Sequence, residues 1–504
     1  MITKEDFAYF QKNKKDAVLI QHQLTCLKNK EIPFSIQKPA TLGHGIHAFP
    51  LEQQKHYRSF FDQHGSQINT MKFVPASGLA SRMFYFLRDF LLNFDPDHDD
   101  FEAYLTDEAN QEFRYFVQHI EDFPFSDLIK NQIEKEDRKF TTDAAFIHQF
   151  IQILLDDAVL GMEGKAKAFL PLFSNSKAAH DSAFELQIKE ALQLFSRRTK
   201  AKIHFTIDAD QLSHFIALEN KLSEKIAKVD CERLQIEYSF QDPKTDSVVL
   251  LSKDRLLRDD DNNLIFRKSG HGALFNNIKR FDTDLMFIKS IDSVWPMDQQ
   301  SMVIQKAMGG LYLERFDQIK NLLEQLQEAI ATGIDETTAF IQNCFHIDFS
   351  SKLNGLNLDE QIQRLMDFLN RPLRVCGMIT NKGKPGGGPF WIEQNGEIAL
   401  QIVESSELQA AQGALHDVLF FNPVNMVCGL KDFKGDSWEL ELYKDSGRSI
   451  ISEKTQMGKP IKTFELPGLW NGSMGYWNSI FVEIPTATFR SLKTINDCLE
   501  QKKD

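Results

Sequence analysis

Short apolar runs alternate with helical patterns along the first half of the chain. Met71–Pro75 is an apolar run, and a tight turn and a helical stretch, 84–93, follow it directly. Two alternating apolar and polar segments come next, at 203–207 and 234–240, with amphipathic stretches at 183–197 and 210–227. Alternation is typical of strands, and amphipathic periodicity is typical of helices. Because strands that alternate with helices form βαβ units, this half of the chain predicts a largely parallel sheet.

The remaining strands are predicted in the second half of the chain. Apolar runs mark them at Leu285–Ile291, Leu373–Ile379 and Phe390–Glu393, and a last helix is predicted at about 491–501. The whole pattern predicts an α/β fold, with a mostly parallel mixed sheet flanked by helices. Helical insertions and a strand-rich C-terminal part complete it.

The predicted organisation has four parts. A helical segment spans residues 1–70, and an α/β core spans 71–297, with a helical insertion at about 95–160. A second helical insertion covers 298–370, and residues 371–504 complete the core.

Composition and charge disfavour several classes of binding partner. The net charge of −13 disfavours a general nucleic-acid-binding protein, since such proteins usually carry a basic surface. No apolar run reaches the roughly 18 residues of a membrane span, and the N-terminus lacks the apolar stretch of a secretory signal. The six cysteines show no paired spacing, which disfavours a zinc site or a disulfide framework. We therefore expect a cytoplasmic protein that binds neither nucleic acid nor a membrane, and we interpret the 42 phenylalanines as core residues.

The turn Ala76–Arg82 is the first candidate site. Its glycine, Gly78, lets the backbone approach an anion, and Arg82 offers a fork of N–H donors to phosphate oxygens. An ordinary strand-to-helix turn with a surface arginine would show the same residues. The P-loop pattern GxxxxGK[ST] does not occur, which disfavours a P-loop NTPase.

Other candidates lie far apart in the sequence. The loop Ser269–Leu274 places a histidine between two glycines, which suits either a flat ring lying on the backbone or a capped turn. Asp292 follows an apolar run, where a carboxylate either holds Mg²⁺ beside substrate phosphates or caps a helix. Lys167 and Lys493 are point charges for phosphate or solvated lysines.

Eight segments in the same order along the chain resemble nucleotide-sugar pyrophosphorylases, especially those that make UDP-glucose and UDP-N-acetylhexosamines. They are Phe73–Met83, Lys167–Pro171, Phe184–Gln187, Phe240–Pro243, Gly270–Gly272, Ile291–Val294, Val403–Glu407 and Phe489–Thr494. Three segments are more closely similar to a bacterial family, domain of unknown function 4301: Arg267–Leu274, Pro385–Trp391 and Leu466–Pro485. The resemblance implies that 71–297 bind a nucleotide and that 371–504 bind a sugar.

The resemblance also implies a reaction and its residues. The chain would transfer a nucleotidyl group between a nucleoside triphosphate and a sugar 1-phosphate. The UDP-sugar enzymes that it resembles imply that this group is uridylyl. The implied catalytic residues are Arg82, Lys167 and Lys493. The implied nucleotide-binding residues are Ala76, Ser77, Gly78, Ser81, Gln241, Gly270, His271 and Gly272, while Glu404 and Asn425 bind the sugar and Asp292 holds Mg²⁺. The implied partners are a nucleoside triphosphate or nucleotide-sugar and a sugar phosphate.

The chain departs from the pyrophosphorylase pattern at several positions. Ala80 stands where a glycine is expected, Ser81 replaces threonine, and Ala166 replaces proline. Lys167 lies 85 positions after Arg82 (167 − 82), so a large helical insertion has to fold away from the site. Two other functions stay open: a non-catalytic nucleotide-sugar-binding protein, and a glycosyltransferase on the same scaffold.

Overall fold

Strands and helices alternate along the chain as the apolar pattern indicates. The computed structural model describes residues 2–28, 34–135, 140, 142–156, 158–176, 179–251, 255–291, 293, 299–328, 331–381, 387–394, 396–410, 418–456, 459–489 and 492–499. The strands are β1 (Ser35–Pro39), β2 (Thr41–Leu42), β3 (Gly45–His47), β4 (Thr70–Pro75), β5 (Pro171–Ser176), β6 (Ala179–Ser182), β7 (Ala201–Ile207), β8 (Leu234–Phe240), β9 (Ser247–Leu251), β10 (Phe266–Arg267), β11 (Leu285–Lys289), β12 (Leu373–Thr380), β13 (Gly388–Gln394), β14 (Glu397–Val403), β15 (Phe420–Phe421), β16 (Asn425–Gly429), β17 (Ile450–Gln456), β18 (Lys459–Glu465) and β19 (Asn478–Glu483). The helices are α1 (Lys4–Lys12), α2 (Ala17–Lys28), α3 (Leu51–His64), α4 (Tyr85–Asn93), α5 (Phe101–Thr106), α6 (Gln111–Gln118), α7 (Ser126–Lys135), α8 (Asp143–Leu155), α9 (Ala183–Leu194), α10 (Leu212–Lys225), α11 (Lys228–Arg233), α12 (Phe275–Ile278), α13 (Gln299–Gln327), α14 (Ala331–Phe345), α15 (Ser350–Leu353), α16 (Leu358–Leu369) and α17 (Ser405–Ala410).

The main sheet runs in the order β2-β3-β19-β12-β16-β11-β4-β7-β8. β16 is antiparallel to both of its neighbours, whereas every other neighbouring pair in this order is parallel. The short β15 adds to β12 in antiparallel register. The predicted mostly parallel mixed sheet is therefore confirmed. The parallel strands all end at one side of the sheet, which we call the carboxyl edge and which is where open α/β sheets bind ligands.

The central strands are buried because both faces of the sheet are covered, one by long helices such as α9 and α13 and the other by α12 together with β13 and β14. All of β11 is buried, as are Thr70–Val74 of β4. Strands that are covered on both sides read as near-continuous apolar runs, and both were recognisable in the sequence for that reason. One face packs on a large helical core that includes Val74 and Ile480, and the other on a smaller core that includes Phe73 and Phe481.

Four helices, α13 to α16, lie in the segment 298–370 that was predicted as a helical insertion. The long helix α13 packs closely along α3, and Gly310 makes this approach possible. A Cβ on Gly310 would lie 1.8 Å from the Tyr57 carbonyl oxygen, so any side chain there would push the two helices apart.

The phenylalanine-rich stretch between β4 and β5 contains α4 and then α5 to α8, which lie in the segment predicted as the first helical insertion. Phe90 stacks on Phe94 and Phe113, with ring centroids 4.8 and 4.3 Å apart, and Phe116 and Phe150 lie in the same core. This insertion confirms the interpretation of the phenylalanines as core residues. Their large apolar area explains how a long insertion stays packed beside the sheet.

Two predictions near the chain ends need correction. Residues 1–70 are not helical throughout, because the segment after Phe34 contains β1, β2 and β3; Gly43 and Gly45 there have φ of +73° and +100°, which suits turns and not a helix. The predicted last helix is wrong within the described residues. A single 3-10 turn, Ile495–Cys498, stands there, and a reciprocal cap between Thr494 and Asp497 closes it.

Candidate functional site

A loop at the carboxyl edge follows β4 and carries the first group of predicted residues. Leu79 forms an antiparallel bridge with Ala166, and the bridge is closed by two backbone hydrogen bonds. The Ala80 N–H donates to the Lys165 carbonyl at 3.0 Å, and the Lys167 N–H donates to the Gly78 carbonyl at 3.0 Å. The loop and Lys167 are therefore neighbours, although 85 positions separate Lys167 from Arg82 (167 − 82).

The chain end reaches the same place. The Lys167 ammonium donates to the Leu492 carbonyl at 3.2 Å, and Lys493 is the next residue. The Lys493 backbone N–H is held by the Asp497 carboxylate at 2.8 Å, and its side chain is exposed. Arg82 is exposed too, and it makes no hydrogen bond or ion pair with any described residue. We call Gly78–Arg82, Lys165–Lys167 and Leu492–Lys493 the basic cluster.

The loop presents some of its predicted residues and buries others. Ser77 is half-buried and Gly78 is exposed, and neither donates a backbone hydrogen bond to another described residue. Ala76 is fully buried, and its N–H donates to the Thr206 carbonyl at 2.8 Å. Ala80 is also fully buried, so its methyl group packs inward and does not narrow the outer side of the loop. Ser81 is half-buried at the start of the 3-10 turn that leads into α4.

A second group of predicted residues meets around Trp470. The His271 ring lies parallel to the Trp470 ring, with centroids 3.8 Å apart and planes 5° apart. His271 Nδ1 accepts the Leu469 N–H at 2.9 Å, so the neutral ring carries its proton on Nε2, which lies 3.9 Å from Glu404 Oε1. Trp470 Nε1 donates to the same carboxylate oxygen at 2.7 Å. We call His271, Trp470 and Glu404 the Trp470 cluster.

Burial shifts both titratable groups of the Trp470 cluster toward their neutral forms. Desolvation lowers the pKa of His271 to about 4. Desolvation also raises the pKa of Glu404 to about 7, with Glu407 and Glu465 adding to the rise, while the Trp470 hydrogen bond and Arg448 oppose it. The carboxyl group of Glu404 therefore changes charge near neutral pH, within reach of an imidazole that stays uncharged.

Replacing Glu404 by glutamine is expected to remove a pH dependence of stability. The Glu404 carboxyl has a pKa of 4.5 in the unfolded chain and about 7 in the folded protein. Its protonated form therefore stabilises the fold fully below pH 4.5, and this stabilisation is lost as the pH rises to 7. The loss amounts to about 3 kcal/mol. Urea denaturation of both proteins at pH 5 to 8, with the exposed Glu52→Gln as control, should show a difference that grows with pH. A pH-independent difference would contradict the raised pKa.

The predicted base-binding residues are joined through Thr245. Gln241 Nε2 donates to the Thr245 hydroxyl at 3.2 Å, and the Ser269 hydroxyl donates to the Thr245 carbonyl at 2.7 Å. Gln241 follows β8, whereas Ser269 precedes Gly270, so two loops distant in sequence form one wall at the carboxyl edge.

The glycines of the Gly270–Gly272 loop have a packing role. A Cβ on Gly272 would lie 2.3 Å from the Pro467 carbonyl oxygen and 2.5 Å from that of Leu466. Gly468, on the opposing loop, leaves room for the His271 ring, since its Cβ would lie 2.4 Å from His271 Cε1. The close contact of these two loops sets the stacked position of His271.

Gly272→Ala is expected to cost about 1–3 kcal/mol of unfolding free energy, because backbone atoms cannot yield as a flexible side chain could. Gly78→Ala is the matched control, since a Cβ there has no atom within 4 Å among the described residues. Thermal denaturation of the two variants should therefore differ clearly. Equal melting temperatures would show that the two loops are not in close contact.

Asn425 lies at the start of β16, opposite Lys289 at the end of β11, and is buried. Lys289 and Lys72 share the buried carboxylate of Glu190, at 2.7 and 3.2 Å. Burial lowers the pKa of Lys72 to about 7, and this desolvation outweighs the attraction of Glu190. Gln187, next to this group, donates to the Ser290 carbonyl at 3.1 Å and so fixes the end of β11.

The residue predicted to hold metal, Asp292, lies outside the described residues.

Sequence reasoning missed the residues that support the Trp470 cluster. Arg374 is fully buried in β12 and donates to the Trp470 carbonyl at 2.6 Å. Glu407 accepts from buried Arg448 at 2.9 Å, and from the Glu404 backbone N–H at 2.8 Å. The single arginine inside the apolar run of β12 could have indicated a buried polar site, because a buried charge needs specific partners.

Among the described residues, no group of three or more histidines, cysteines, aspartates or glutamates could hold a metal ion. No described helix has both the length and the apolar character that a membrane crossing needs. The fold is that of a mixed α/β protein, and the basic cluster lies at the carboxyl edge of its mostly parallel sheet.

The chain belongs to the family described as domain of unknown function (DUF4301), whose profile matches residues 3–504, and this confirms the predicted membership. Its fold is similar to those of several solved structures, among them the following three. They are the UDP-N-acetylglucosamine pyrophosphorylase from Trypanosoma brucei (9% identity, TM-score 0.45, 95% of this chain and 74% of that one), a UDP-glucose phosphorylase from Trypanosoma brucei (10%, 0.46, 98% and 76%) and the UDP-glucose pyrophosphorylase from Leishmania major (11%, 0.43, 98% and 77%). No curated protein matches the chain in sequence.

Proposed function

We propose that this protein transfers a nucleotidyl group, specifically uridylyl, between a nucleoside triphosphate and a sugar 1-phosphate, with release of pyrophosphate. The observation that carries the proposal is the basic cluster. Arg82, Lys167 and Lys493 come from three distant parts of the chain, and the Leu79–Ala166 bridge and the Lys167–Leu492 hydrogen bond bring their segments together. Three cations beside a glycine loop suit a polyphosphate, whose charge they balance.

The reaction is an in-line displacement at phosphorus. An oxygen of the sugar 1-phosphate attacks the α-phosphorus, and the bond from that phosphorus to the bridging oxygen of the β-phosphate breaks. The electron pair leaves with pyrophosphate. The protein's part is to position the two phosphates and to stabilise charge, as in other phosphoryl transfers. Arg82 stabilises the negative charge of the leaving pyrophosphate. Lys167 and Lys493 neutralise the charge of the other phosphate oxygens.

The remaining predicted residues hold the two ends of the substrate. Gln241 and the Gly270–Gly272 loop contact the base, and the Thr245 link supports this assignment because it joins them in one wall. Glu404 accepts hydrogen bonds from sugar hydroxyls, with Asn425 beside the sugar. Trp470 donates to Glu404 and stacks on His271, so an aromatic ring stands next to Glu404 and suits the carbon face of a sugar.

Magnesium is proposed as the accompanying ion. Mg²⁺ usually binds through substrate phosphates and one or two protein carboxylates, so an ion that arrives with the triphosphate needs few protein ligands. Asp292 would hold it. When bound, Mg²⁺ supplies positive charge to the phosphate oxygens.

A thermal-shift screen followed by a turnover assay tests the proposal. UTP, UDP-glucose, UDP-N-acetylglucosamine, ATP and GTP are each added with and without Mg²⁺. At a ligand concentration one hundred times Kd, binding is worth about 2.7 kcal/mol, which raises the melting temperature measurably. A uridine-selective shift together with pyrophosphate release from UTP and a sugar 1-phosphate would support the function. No shift with any nucleotide would contradict it.

A second candidate, a nucleotide-sugar-binding protein without turnover, is favoured by one observation. The Ala80 N–H is used by the Lys165 carbonyl, so the loop offers one backbone donor fewer to a triphosphate. The same screen separates the candidates, because this protein would be stabilised by UDP-sugars but would release no pyrophosphate. A glycosyltransferase would instead transfer the sugar and release a nucleoside diphosphate.

A further inference from the structure

A cavity lies beside β3 and β19 of the main sheet, away from the basic cluster. It has a volume of about 430 Å³ and is bounded by β3, β19, α3, α13 and α14. In the order of the sheet, β19 is four strands from β4, which precedes the basic cluster. The cavity is large enough for a small metabolite, because ligand pockets typically measure roughly 300–1,000 Å³.

The polar part of the cavity is built around one cation. Its polar lining residues are His47, Gln53, Tyr57, Arg315, Gln318 and Asn343, and none of the lining residues is acidic. Arg315 Nη2 donates to the Tyr57 hydroxyl at 2.9 Å, and Arg315 Nη1 donates to Gln318 Oε1 at 2.7 Å. These contacts fix the guanidinium, and a guanidinium has further N–H donors that they do not use.

The acidic neighbour of Arg315 only partly balances its charge. Glu314 Oε1 lies 3.4 Å from Arg315 Nη1, while Oε2 of the same carboxylate is engaged by His56 at 2.8 Å. His47, which also lines the cavity, contacts the Cys344 carbonyl at 2.9 Å, and burial lowers its pKa, so it adds no charge. The cavity therefore offers one oriented cation and several amide groups to an occupant.

The other part of the lining is apolar. Leu311, Phe340, Ile480 and Val482 contribute to it, and Phe49 lies beside Tyr57 with ring centroids 6.0 Å apart. A ligand that fits this lining carries an oxyanion at one end, for Arg315, and a short apolar body at the other. We propose that this cavity is a binding site for a small metabolite of that kind, an oxyanion attached to a compact apolar group. The site is independent of the proposed nucleotidyl transfer.

Calorimetric titration of the full chain with three small compounds that share a phenyl ring tests the site. Benzoate and phenyl phosphate carry the oxyanion, and they distinguish a carboxylate from a phosphate preference, while phenol lacks the charge. We expect at least one anionic probe to bind and phenol to bind at least tenfold more weakly. Arg315→Gln should weaken the anionic probe about tenfold or more, and Arg58→Gln, an exposed arginine on α3 outside the lining, should not.

A second variant guards against a folding defect in Arg315→Gln. Asn343 is an exposed lining residue, so Asn343→Trp should fill the mouth of the cavity without disturbing the core, and it should abolish binding. Arg82→Ala should leave the probe affinity unchanged, which separates this cavity from the basic cluster. Failure of every anionic probe to bind, or equal binding to wild type and to both cavity variants, would overturn the proposal.

Discussion

Replacing Arg82 by alanine is expected to lower the rate of pyrophosphate release from UTP and a sugar 1-phosphate by roughly 100- to 1000-fold, as removal of one charge-stabilising donor does in other enzymes. The side chain is exposed and has no partner among the described residues, so its removal leaves no unpaired group behind. The melting temperature should therefore stay close to that of the wild type. The measurement is a coupled pyrophosphate assay beside a thermal denaturation curve.

The control for Arg82→Ala is Arg58→Ala, another exposed arginine, whose 3.6 Å pair with Asp62 lies on α3. Surface pairs of this kind are worth about 0–1 kcal/mol, so the control should retain both stability and turnover. Turnover by Arg82→Ala at the wild-type rate would remove Arg82 from the proposed mechanism. A fall in turnover accompanied by an equal fall in the control would point to the preparation and not to the residue.

The central strands β4 and β11 were predictable because burial on both faces leaves a continuous apolar run. β7 and β8 were predictable because their apolar and polar residues alternate. β8 matches its predicted bounds, Leu234–Phe240, and β7 and β12 differ by no more than two residues at either end. The short strands β1 to β3 were missed, since β1 and β2 are largely unburied strands at sheet edges and β3 has only three residues. Local pattern carries little information where pairing with a distant strand decides the conformation.

Only some of the residues that form the candidate site could be predicted from the sequence, for a related reason. The segments of the basic cluster could be named from resemblance, but their contact depends on how α5 to α8 fold between Arg82 and Lys167. That fold comes from aromatic packing such as Phe90 on Phe113, which no local spacing encodes. Trp470 was missed although it lies in a glycine-rich segment, Gly468–Gly475, which is a common setting for exposed aromatic residues that contact ligands.

Arg448→Met is expected to cost about 3–5 kcal/mol of unfolding free energy, the largest stability loss that we predict. Arg448 and Glu407 form a buried pair, with side-chain exposures of 0% and 5%. Arg448 Nη2 also donates to the Ile402 carbonyl at 2.7 Å, and its guanidinium lies 4.8 Å from the Phe34 ring centroid. Methionine keeps the apolar contact but leaves Glu407 as an unpaired buried charge, which is strongly destabilising.

The double variant Arg448→Met with Glu407→Gln separates the charge from the packing. It should recover a large part of the loss, because a neutral amide can still accept the Glu404 N–H at position 407 without an unpaired charge. Arg364→Met is the matched surface control, since the side chains of its 2.7 Å pair with Glu397 are 47% and 41% exposed, and its loss should cost less than about 1 kcal/mol. The urea midpoint at unchanged slope measures each loss. Equal losses in the single and double variants would show that packing, and not the Arg448 charge, holds the Trp470 cluster in place.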